Sequence, residues 1–131
     1  MNLPLPIRLL YTPYPKNRAY RLIRLYISTR GRWQPVAFVV YSEDELASIY
    51  VRPKYRRTGV GKFLLRCVLH EADAKGWHLL LEVSEEFGMN ENSLIKWYRN
   101  FGFRVTHRPS FGQRLVQGDM TEMERRPVCM A

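Results

Sequence analysis

The spacing of apolar residues in the first third of the chain is that of β-strands. Residues 19–27 and 35–41 are rich in β-branched and aromatic side chains, and the turn-like segment 29–32 between them predicts a β-hairpin. A third run, residues 46–51, follows an acidic turn and is stopped by a proline. A three-stranded antiparallel meander is therefore predicted, and residues 1–18, with four prolines, are predicted to form an extended arm.

After this meander the period of the apolar residues becomes that of an α-helix. Apolar side chains recur at three- and four-residue steps over residues 59–75, and Gly76 suits the left-handed conformation that ends many helices. The short, nearly continuous apolar run 77–83 predicts a central strand that is covered on both faces. The order strand, helix, strand predicts that this strand pairs in parallel with the strand before the helix.

The last third of the chain predicts one more helix and two more strands. Helical spacing covers residues 92–101, and extended segments over 103–108 and 120–126 enclose a loop at 110–113. The predicted fold class is mixed α/β, with a mostly antiparallel sheet, a central parallel strand pair and few flanking helices. Its 131 residues, 46% of them hydrophobic, predict a single domain over residues 1–131.

The balance of charges is basic, with 21 Lys and Arg residues against 12 Asp and Glu residues. This favours an anionic partner, which could be nucleic acid, an acidic protein or a phosphorylated small molecule. No run approaches the roughly 18 to 20 apolar residues of a membrane-spanning helix, so no membrane partner is expected. Cys67 and Cys129 suggest no disulfide framework, and His70, His78 and His107 have no partner at metal-ligand spacing. A cytoplasmic protein without a bound metal is predicted.

The segment that joins the third strand to the first helix carries the most specific chemical signal. Gly59 and Gly61 would let the backbone approach a ligand closely, and the first N–H groups of the helix are unpaired donors at the positive end of its dipole. The same turn is crowded by basic side chains, namely Arg52, Lys54, Arg56, Arg57 and Lys62. A ligand with several phosphate charges is therefore favoured. The residue types at the required positions exclude both a nucleotide-triphosphate loop and a dinucleotide fingerprint.

Three motifs follow one another along the chain. Residues 56–61 read Arg-Arg-Thr-Gly-Val-Gly, residues 81–83 read Leu-Glu-Val, and residues 98–103 read Tyr-Arg-Asn-Phe-Gly-Phe. Together they resemble the acetyl-CoA loop Arg/Gln-x-x-Gly-x-Gly/Ala, the next strand and the Tyr-x-x-x-Gly-Phe helix ending of the GNAT superfamily of N-acetyltransferases. The resemblance covers residues 46–103.

This resemblance implies that acetyl-CoA is a co-substrate, held mostly by backbone groups. The strand before the loop would run alongside the pantetheine arm, and the amides of the loop would wrap the pyrophosphate. The cofactor-binding residues implied in this way are Ile49, Tyr50, Val51, Arg56, Arg57, Thr58, Gly59, Val60, Gly61, Lys62 and Asn90. For Asn90, capping of the second helix is an equal alternative.

Acetyl transfer from a thioester to an amine requires a neutral amine and a proton for the departing thiolate. The resemblance implies Tyr98 as the general acid, with core packing as the alternative role. It also implies Glu82, at the carboxyl end of the central strand, as the base, with a solvated or ion-paired glutamate as the alternative. The acidic residues at 43–45 are rivals for the base.

The segment before the glycine loop is too short for the two helices that usually form one wall of the acceptor groove in this family. A partner subunit in a homodimer, the proline-rich arm or the loop around Phe111 could replace that wall. An open groove favours the amine of a protein or peptide as acceptor. The alternatives are an acetyltransferase acting on aminoacyl-tRNA, an inactive protein that only binds CoA, and a protein that binds RNA or other nucleic acid through its positive charge.

Overall fold

The computed structural model describes residues 6–84, 89–118 and 120–128. The first five residues of the predicted arm and Cys129 therefore lie outside the described residues. None of the described helices combines the length and the apolar character that crossing a membrane requires.

The first of two compact units is built on a four-stranded antiparallel sheet. Within the described ranges it comprises residues 6–42 and 46–71, and the second unit comprises residues 43–45 and 72–128. The strands of the sheet, which pair in chain order, are β1 (Ile7–Pro13), β2 (Arg21–Thr29), β3 (Arg32–Tyr41) and β4 (Leu46–Val51). The hairpin predicted between β2 and β3 is present. Its two-residue turn holds Arg30 and Gly31 at positive φ values of 52° and 77°, as this turn requires.

The extended arm predicted at the start of the chain is extended, but its residues 7–13 form a paired strand. β1 pairs with β2 along its whole length, from Ile7 opposite Ile27 to Pro13 opposite Arg21. A proline at the end of an edge strand is tolerated because its missing N–H removes no bond from the sheet interior. The predicted three-stranded meander is present as β2, β3 and β4, and β1 adds a fourth strand that was not predicted.

Helix α1 (Val60–Lys75) supplies the other layer of the first unit. Its apolar stripe, at Val60, Leu64, Leu65 and Val68, is fully buried. In the last part of the helix, Glu71 accepts hydrogen bonds from the Tyr41 hydroxyl at 2.7 Å and from the Arg21 guanidinium at 2.9 Å. Burial, together with the neighbouring Glu71 carboxylate, raises the pKa of Tyr41. The helix is therefore fastened to β2 and β3 by a polar network as well as by apolar packing.

The second unit contains a three-stranded antiparallel sheet and two short helices. Its elements are β5 (Leu79–Glu82), α2 (Glu91–Arg99), β6 (Arg104–His107), α3 (Phe111–Gln117) and β7 (Glu122–Arg125). β7 runs between β5 and β6. Parallel pairing, predicted for the central strand, is present as a single bridge between Glu45 and Leu80, where the Leu80 amide donates to the Asp44 carbonyl at 2.9 Å.

β5, predicted to be a central strand, lies at an edge of the described three-stranded sheet and is covered on one face only. Leu79 and Leu81 are buried, whereas Leu80 between them is 50% exposed. The prediction that both faces are covered is therefore wrong. An apolar run of this length fits a strand with one open face as well as a strand buried on both, because alternation is visible only when the outward residues are polar.

Helix α3 occupies the segment that was predicted to be a loop. Ser110 and Gln113 form a capping box, in which each side chain accepts a hydrogen bond from the backbone amide of the other residue. Gly118 ends the helix with φ of 68°. Ser followed three residues later by Gln is the sequence signal of this helix start, and the prediction of a loop is wrong.

An ion pair between Arg125 and Asp73 joins β7 to the end of α1 inside the second unit. The Arg125 guanidinium donates to both carboxylate oxygens of Asp73, at 2.7 and 3.0 Å, and its Nε donates to the Phe101 carbonyl at 2.7 Å. The side chains of the pair are only 7% and 15% exposed. Gly102 leaves room for this arrangement, since a Cβ there would lie 3.4 Å from the Arg125 Nε.

Asp73→Ala is expected to lower the free energy of unfolding by about 3 kcal/mol, because it leaves the buried Arg125 guanidinium without its counter-charge. Urea unfolding measures the change. Arg104→Ala is the matched control, because it also breaks an Arg–carboxylate pair, with Glu124, but its side chain is 64% exposed. The control is expected to change the free energy of unfolding by less than about 1 kcal/mol. A loss in Asp73→Ala as small as the one expected for the control would show that the Asp73–Arg125 pair does not stabilise the fold.

Candidate active site

The glycine loop lies in the first unit, between β4 and α1, as predicted. After Val51 the chain makes a short 3-10 turn, Pro53–Tyr55, and α1 begins at Val60. The Arg56 Nε donates to the Val51 carbonyl at 3.0 Å, and the Thr58 hydroxyl donates to the Tyr55 carbonyl. These two side chains therefore brace the loop itself, which is a structural role beside the predicted contact with the cofactor.

The backbone of the loop is bent in a way that favours glycine. Gly59 has φ of 90°, and Arg57 has φ of 64°, a left-handed conformation that costs about 1 kcal/mol for a residue with a side chain. At Gly61 an added Cβ would lie 3.4 Å from Cγ2 of the buried Val51. The start of α1 thus lies directly against the end of β4.

These residues fit the diphosphate of acetyl-CoA. The first turn of α1 contains no acidic residue, and its N–H groups have no acceptors within the helix. The cations of Arg57 and Lys62 are on the loop and on that first turn. Ile49 and Val51 of β4 are buried, and Tyr50 between them is 40% exposed. Backbone donors, a helix dipole and cations on one short segment are what a bound diphosphate requires.

Tyr98 lies near the end of α2, in the second unit, and is 6% exposed. Its ring packs edge-on against Trp97 and Phe103, with centroid distances of 5.1 and 5.7 Å. Its carbonyl accepts hydrogen bonds from the amides of Phe101 and Phe103, so the helix ends here. Gly102, with φ of 92°, makes this ending possible. The Tyr-x-x-x-Gly-Phe motif therefore has a clear structural reason, which is a helix end locked by aromatic packing.

Asn90 caps the first turn of α2, where its side chain accepts a hydrogen bond from the Ser93 amide at 2.9 Å. Beside it, Glu91 bonds to Arg114 of α3 and to the buried Thr121. Burial alone would raise the pKa of Glu91, but the hydrogen bonds from Thr121 and Arg114 outweigh it, and the pKa is lowered. Of the two roles considered for Asn90, helix capping is observed and cofactor contact stays a prediction.

An acidic cleft of about 230 Å³ lies on the second unit. It contains the predicted base, Glu82, and two of its three rivals, Asp44 and Glu45. It also contains Glu122, which sequence reasoning missed. The remaining lining residues are Leu80, Leu81, Thr106 and Met123. Four carboxylates thus share one cleft, while Glu43 is exposed at the turn before it.

Glu82 and Glu122 are side-by-side neighbours on adjacent strands of the sheet. They are directly opposed in the antiparallel pair β5–β7, and His107 of β6 is opposite Glu122 on the other side. Like charges in this arrangement destabilise a sheet. Glu124, two residues along β7, is ion-paired with Arg104 and His78, whereas the Glu122 carboxylate has no cation partner among the described residues. Only the strand register reveals this pair, because β5 and β7 are forty residues apart in sequence.

His70 and His78 belong neither to the glycine loop nor to the acidic cleft. His70 is on the exposed face of α1, and His78 is hydrogen-bonded to Glu124 at 2.8 Å. Among the described residues, no group of three or more His, Cys, Asp or Glu side chains is arranged to hold a metal ion.

Comparison with known families identifies the class of this protein. The model of the acetyltransferase (GNAT) domain family matches residues 23–105, which include the glycine loop, strand β5 and helix α2. This chain belongs to the GNAT family of acetyltransferases. The family prediction and the predicted fold class are both confirmed.

The relatives are acetyltransferases with different acceptors in their names. Peptidyl-lysine N-acetyltransferase YjaB of Escherichia coli (strain K12) is 31% identical over 84 residues, which is 64% of this chain and 52% of that protein. The match thus spans about half the length of this curated relative. The structure of nourseothricin acetyltransferase is 26% identical and has a TM-score of 0.62, covering 88% of this chain and 69% of that one. The structure of ribosomal-protein-S18-alanine N-acetyltransferase from Escherichia coli is 24% identical and has a TM-score of 0.59, and the match covers 88% of this chain and 73% of that one. At this identity the likeness shows the fold alone.

Proposed function

We propose that this chain transfers an acetyl group from acetyl-CoA to a primary amine of a protein or peptide, with the lysine side chain as first candidate. The observation that carries the proposal is that the carboxylates of Glu82 and Glu122 are opposed in an open cleft and have no cation partner among the described residues. Two like charges held together without a cation suit a cationic group from outside the chain. The name of the relative YjaB, a peptidyl-lysine acetyltransferase, supports the same class of acceptor.

Acetyl-CoA, when bound, supplies the acetyl group as an activated thioester. The amides from Arg57 to Lys62 would hold the diphosphate, and the cations of Arg57 and Lys62 would neutralise it. The backbone of Ile49, Tyr50 and Val51 would hydrogen-bond to the pantetheine arm, so those side chains matter less than the backbone they belong to.

The acidic cleft would bind the acceptor as an ammonium ion and prepare it for attack. An alkyl ammonium has a pKa near 10.4, so about one amine in a thousand is neutral near pH 7.4. Glu82, at the end of β5, would accept the proton, directly or through water. Glu122, Asp44 and Glu45 would hold the cation beforehand by charge.

Tyr98 would act in the step in which the thiolate of CoA departs. Its hydroxyl would donate a proton to the departing thiolate of CoA. A thiol has a pKa near 8.5 and a phenol a pKa near 10, so the thiolate is a weaker base than the phenolate that this transfer leaves on Tyr98. Positioning must therefore supply part of the driving force. The rigid packing of the Tyr98 ring against Trp97 and Phe103 suits a group that has to be held in one place.

Two isosteric substitutions in the cleft should have different kinetic effects. Glu82→Gln is expected to lower kcat about 100-fold, because the amine keeps its proton. Glu122→Gln is expected to raise KM for the acceptor about fivefold and to leave kcat nearly unchanged, because it removes charge that only binds the cation. The assay follows release of the CoA thiol with a peptide that carries one lysine and a blocked N-terminus. Glu122→Gln should also raise the free energy of unfolding by a few tenths of a kcal/mol, since it relieves the repulsion.

Glu43→Gln is the control, because it removes one exposed negative charge from the turn beside the cleft. It should change neither kcat nor KM. A peptide with a free N-terminal amine and no lysine tests whether the chain acetylates N-terminal amines instead of lysine side chains. An unchanged KM in Glu122→Gln would remove the cleft from acceptor binding, and an unchanged kcat in Glu82→Gln would remove Glu82 as the base.

A further inference from the structure

Leu80 is the apolar side chain that faces outward among the described residues of the acidic cleft. The outward positions of β5 are Leu80 and Glu82, and those of β7 are Glu122 and Glu124. Leu80 lines the cleft and is 50% exposed. An antiparallel sheet with one open face usually places polar residues outward, so the fold alone gives no reason for a leucine at this position.

Acidic positions adjoin Leu80 on three sides. Glu45 is its parallel bridge partner, and Glu124 is its partner in β7. Glu82 follows on the same face of β5, roughly 7 Å along the strand, and Glu122 is the diagonal neighbour of Leu80, at about 7–8 Å. The cleft therefore offers an apolar position with carboxylates around it.

The negative charge that stays available to a ligand lies at one end of this apolar position. Glu124 is ion-paired with Arg104. Glu82 and Glu122, in contrast, have no cation partner among the described residues. A chain that crosses Leu80 toward these two carboxylates meets an apolar surface first and anionic groups after it.

A lysine side chain has its groups in the same order. Its methylene groups form an apolar stem, which packs readily on apolar surface while the charged end stays with polar groups. The extended stem places the ammonium roughly 6 Å from Cα. This is close to the roughly 7 Å between Leu80 and Glu82 along the strand. An N-terminal α-amine has no such stem and would leave Leu80 uncovered.

We propose that Leu80 is a specificity-determining residue, which packs against the methylene groups of the acceptor and selects an amine at the end of an apolar stem. The inference rests on the proposed function, because it defines the acceptor of that reaction. The ammonium lies between Glu82 and Glu122 when the stem covers Leu80. Amines with a polar stem are therefore acetylated less efficiently, although Leu80 takes no part in proton transfer.

Two peptides that differ at one position of the stem test the proposal. Both have a blocked N-terminus and a single primary amine. One contains lysine, and the other contains oxalysine, in which an ether oxygen replaces the γ-methylene group and leaves the reach of the amine nearly unchanged. Placing the ether oxygen against leucine costs part of its hydration. The value of kcat/KM for each peptide is measured at saturating acetyl-CoA from the release of the CoA thiol.

Leu80→Asn should reduce the preference for lysine over oxalysine about fivefold, mainly through KM. The two peptides differ in amine pKa, but this difference is the same for every variant and cancels when their preferences are compared. Leu80→Met keeps an apolar side chain and should retain the wild-type preference. Leu10→Asn is the matched control, because it removes a leucine of similar exposure, 44%, from β1. It should also retain that preference.

A wild-type preference in Leu80→Asn overturns the proposal. So does an equal reduction in Leu10→Asn, because the effect would then not belong to the cleft, or a reduction in Leu80→Met as large as that in Leu80→Asn. Failure of the wild-type protein to acetylate either peptide contradicts the proposed function, and the role of Leu80 falls with it. Acetylation of both peptides with a preference that Leu80 does not affect contradicts the role of Leu80 alone.

Discussion

Gly61→Val is expected to lower the affinity for acetyl-CoA by at least about 100-fold. A Cβ at this position would already touch Cγ2 of Val51 at 3.4 Å, and Val51 is only 3% exposed and cannot move away easily. The two further methyl groups of valine would push the first turn of α1 away from β4. Because the N–H groups of that turn are the proposed donors to the diphosphate, their displacement should remove most of the binding. Calorimetric titration with acetyl-CoA measures the affinity.

A matched glycine is available in the other unit. Gly112 is the second residue of α3, as Gly61 is the second residue of α1, and a Cβ there would meet only the Ser110 hydroxyl, at 4.0 Å. Gly112→Val should therefore leave the affinity for acetyl-CoA unchanged. Gly61→Ala should lower the affinity for acetyl-CoA less than Gly61→Val does, since alanine adds only the Cβ, which contacts Val51 at an ordinary distance. Wild-type affinity in Gly61→Val would show that the cofactor binds elsewhere.

The features that the sequence predicted correctly depend on neighbours along the chain. The helix at 59–75 was predicted from its apolar period and from Gly76, and the structure places α1 at Val60–Lys75 with Gly76 at φ of 72°. The glycine loop was predicted in the same way, from residues that adjoin one another. Such signals act over one or two turns of chain, and tertiary packing does not change them.

The features that the sequence missed depend on distant pairing. β1 was missed as a strand because its partner, β2, provides the hydrogen bonds, and the four prolines of the segment obscured its alternation. The open face of β5, with Leu80 exposed, is decided by what packs on it and not by its own residues. Glu122 became a candidate only when the register of β7 placed it opposite Glu82. A cytoplasmic location, RNA contact and a homodimer stay predictions from the sequence.

Tyr98→Phe is expected to lower kcat about 100-fold while leaving the affinity for acetyl-CoA unchanged. Phenylalanine keeps the ring that packs against Trp97 and Phe103, and only the hydroxyl is lost. Since the side chain is 6% exposed and the change removes no apolar contact, the free energy of unfolding should change by no more than about 1 kcal/mol. Single-turnover acetylation of a lysine peptide, with calorimetric titration and urea unfolding of the same preparation, separates these effects.

A purely structural role for Tyr98 predicts a different result. If the hydroxyl only satisfied a neighbour in the core, its loss would lower the stability and leave kcat of the folded protein unchanged. Tyr26→Phe, on β2, is the control, because it removes a phenolic hydroxyl from a half-buried position in the sheet. A fall in kcat in Tyr98→Phe, without a fall in Tyr26→Phe, would identify the Tyr98 hydroxyl as the proton donor. Wild-type kcat in Tyr98→Phe would instead assign the motif that contains it to helix ending alone, and the proton for the departing sulfur would then have to come from water.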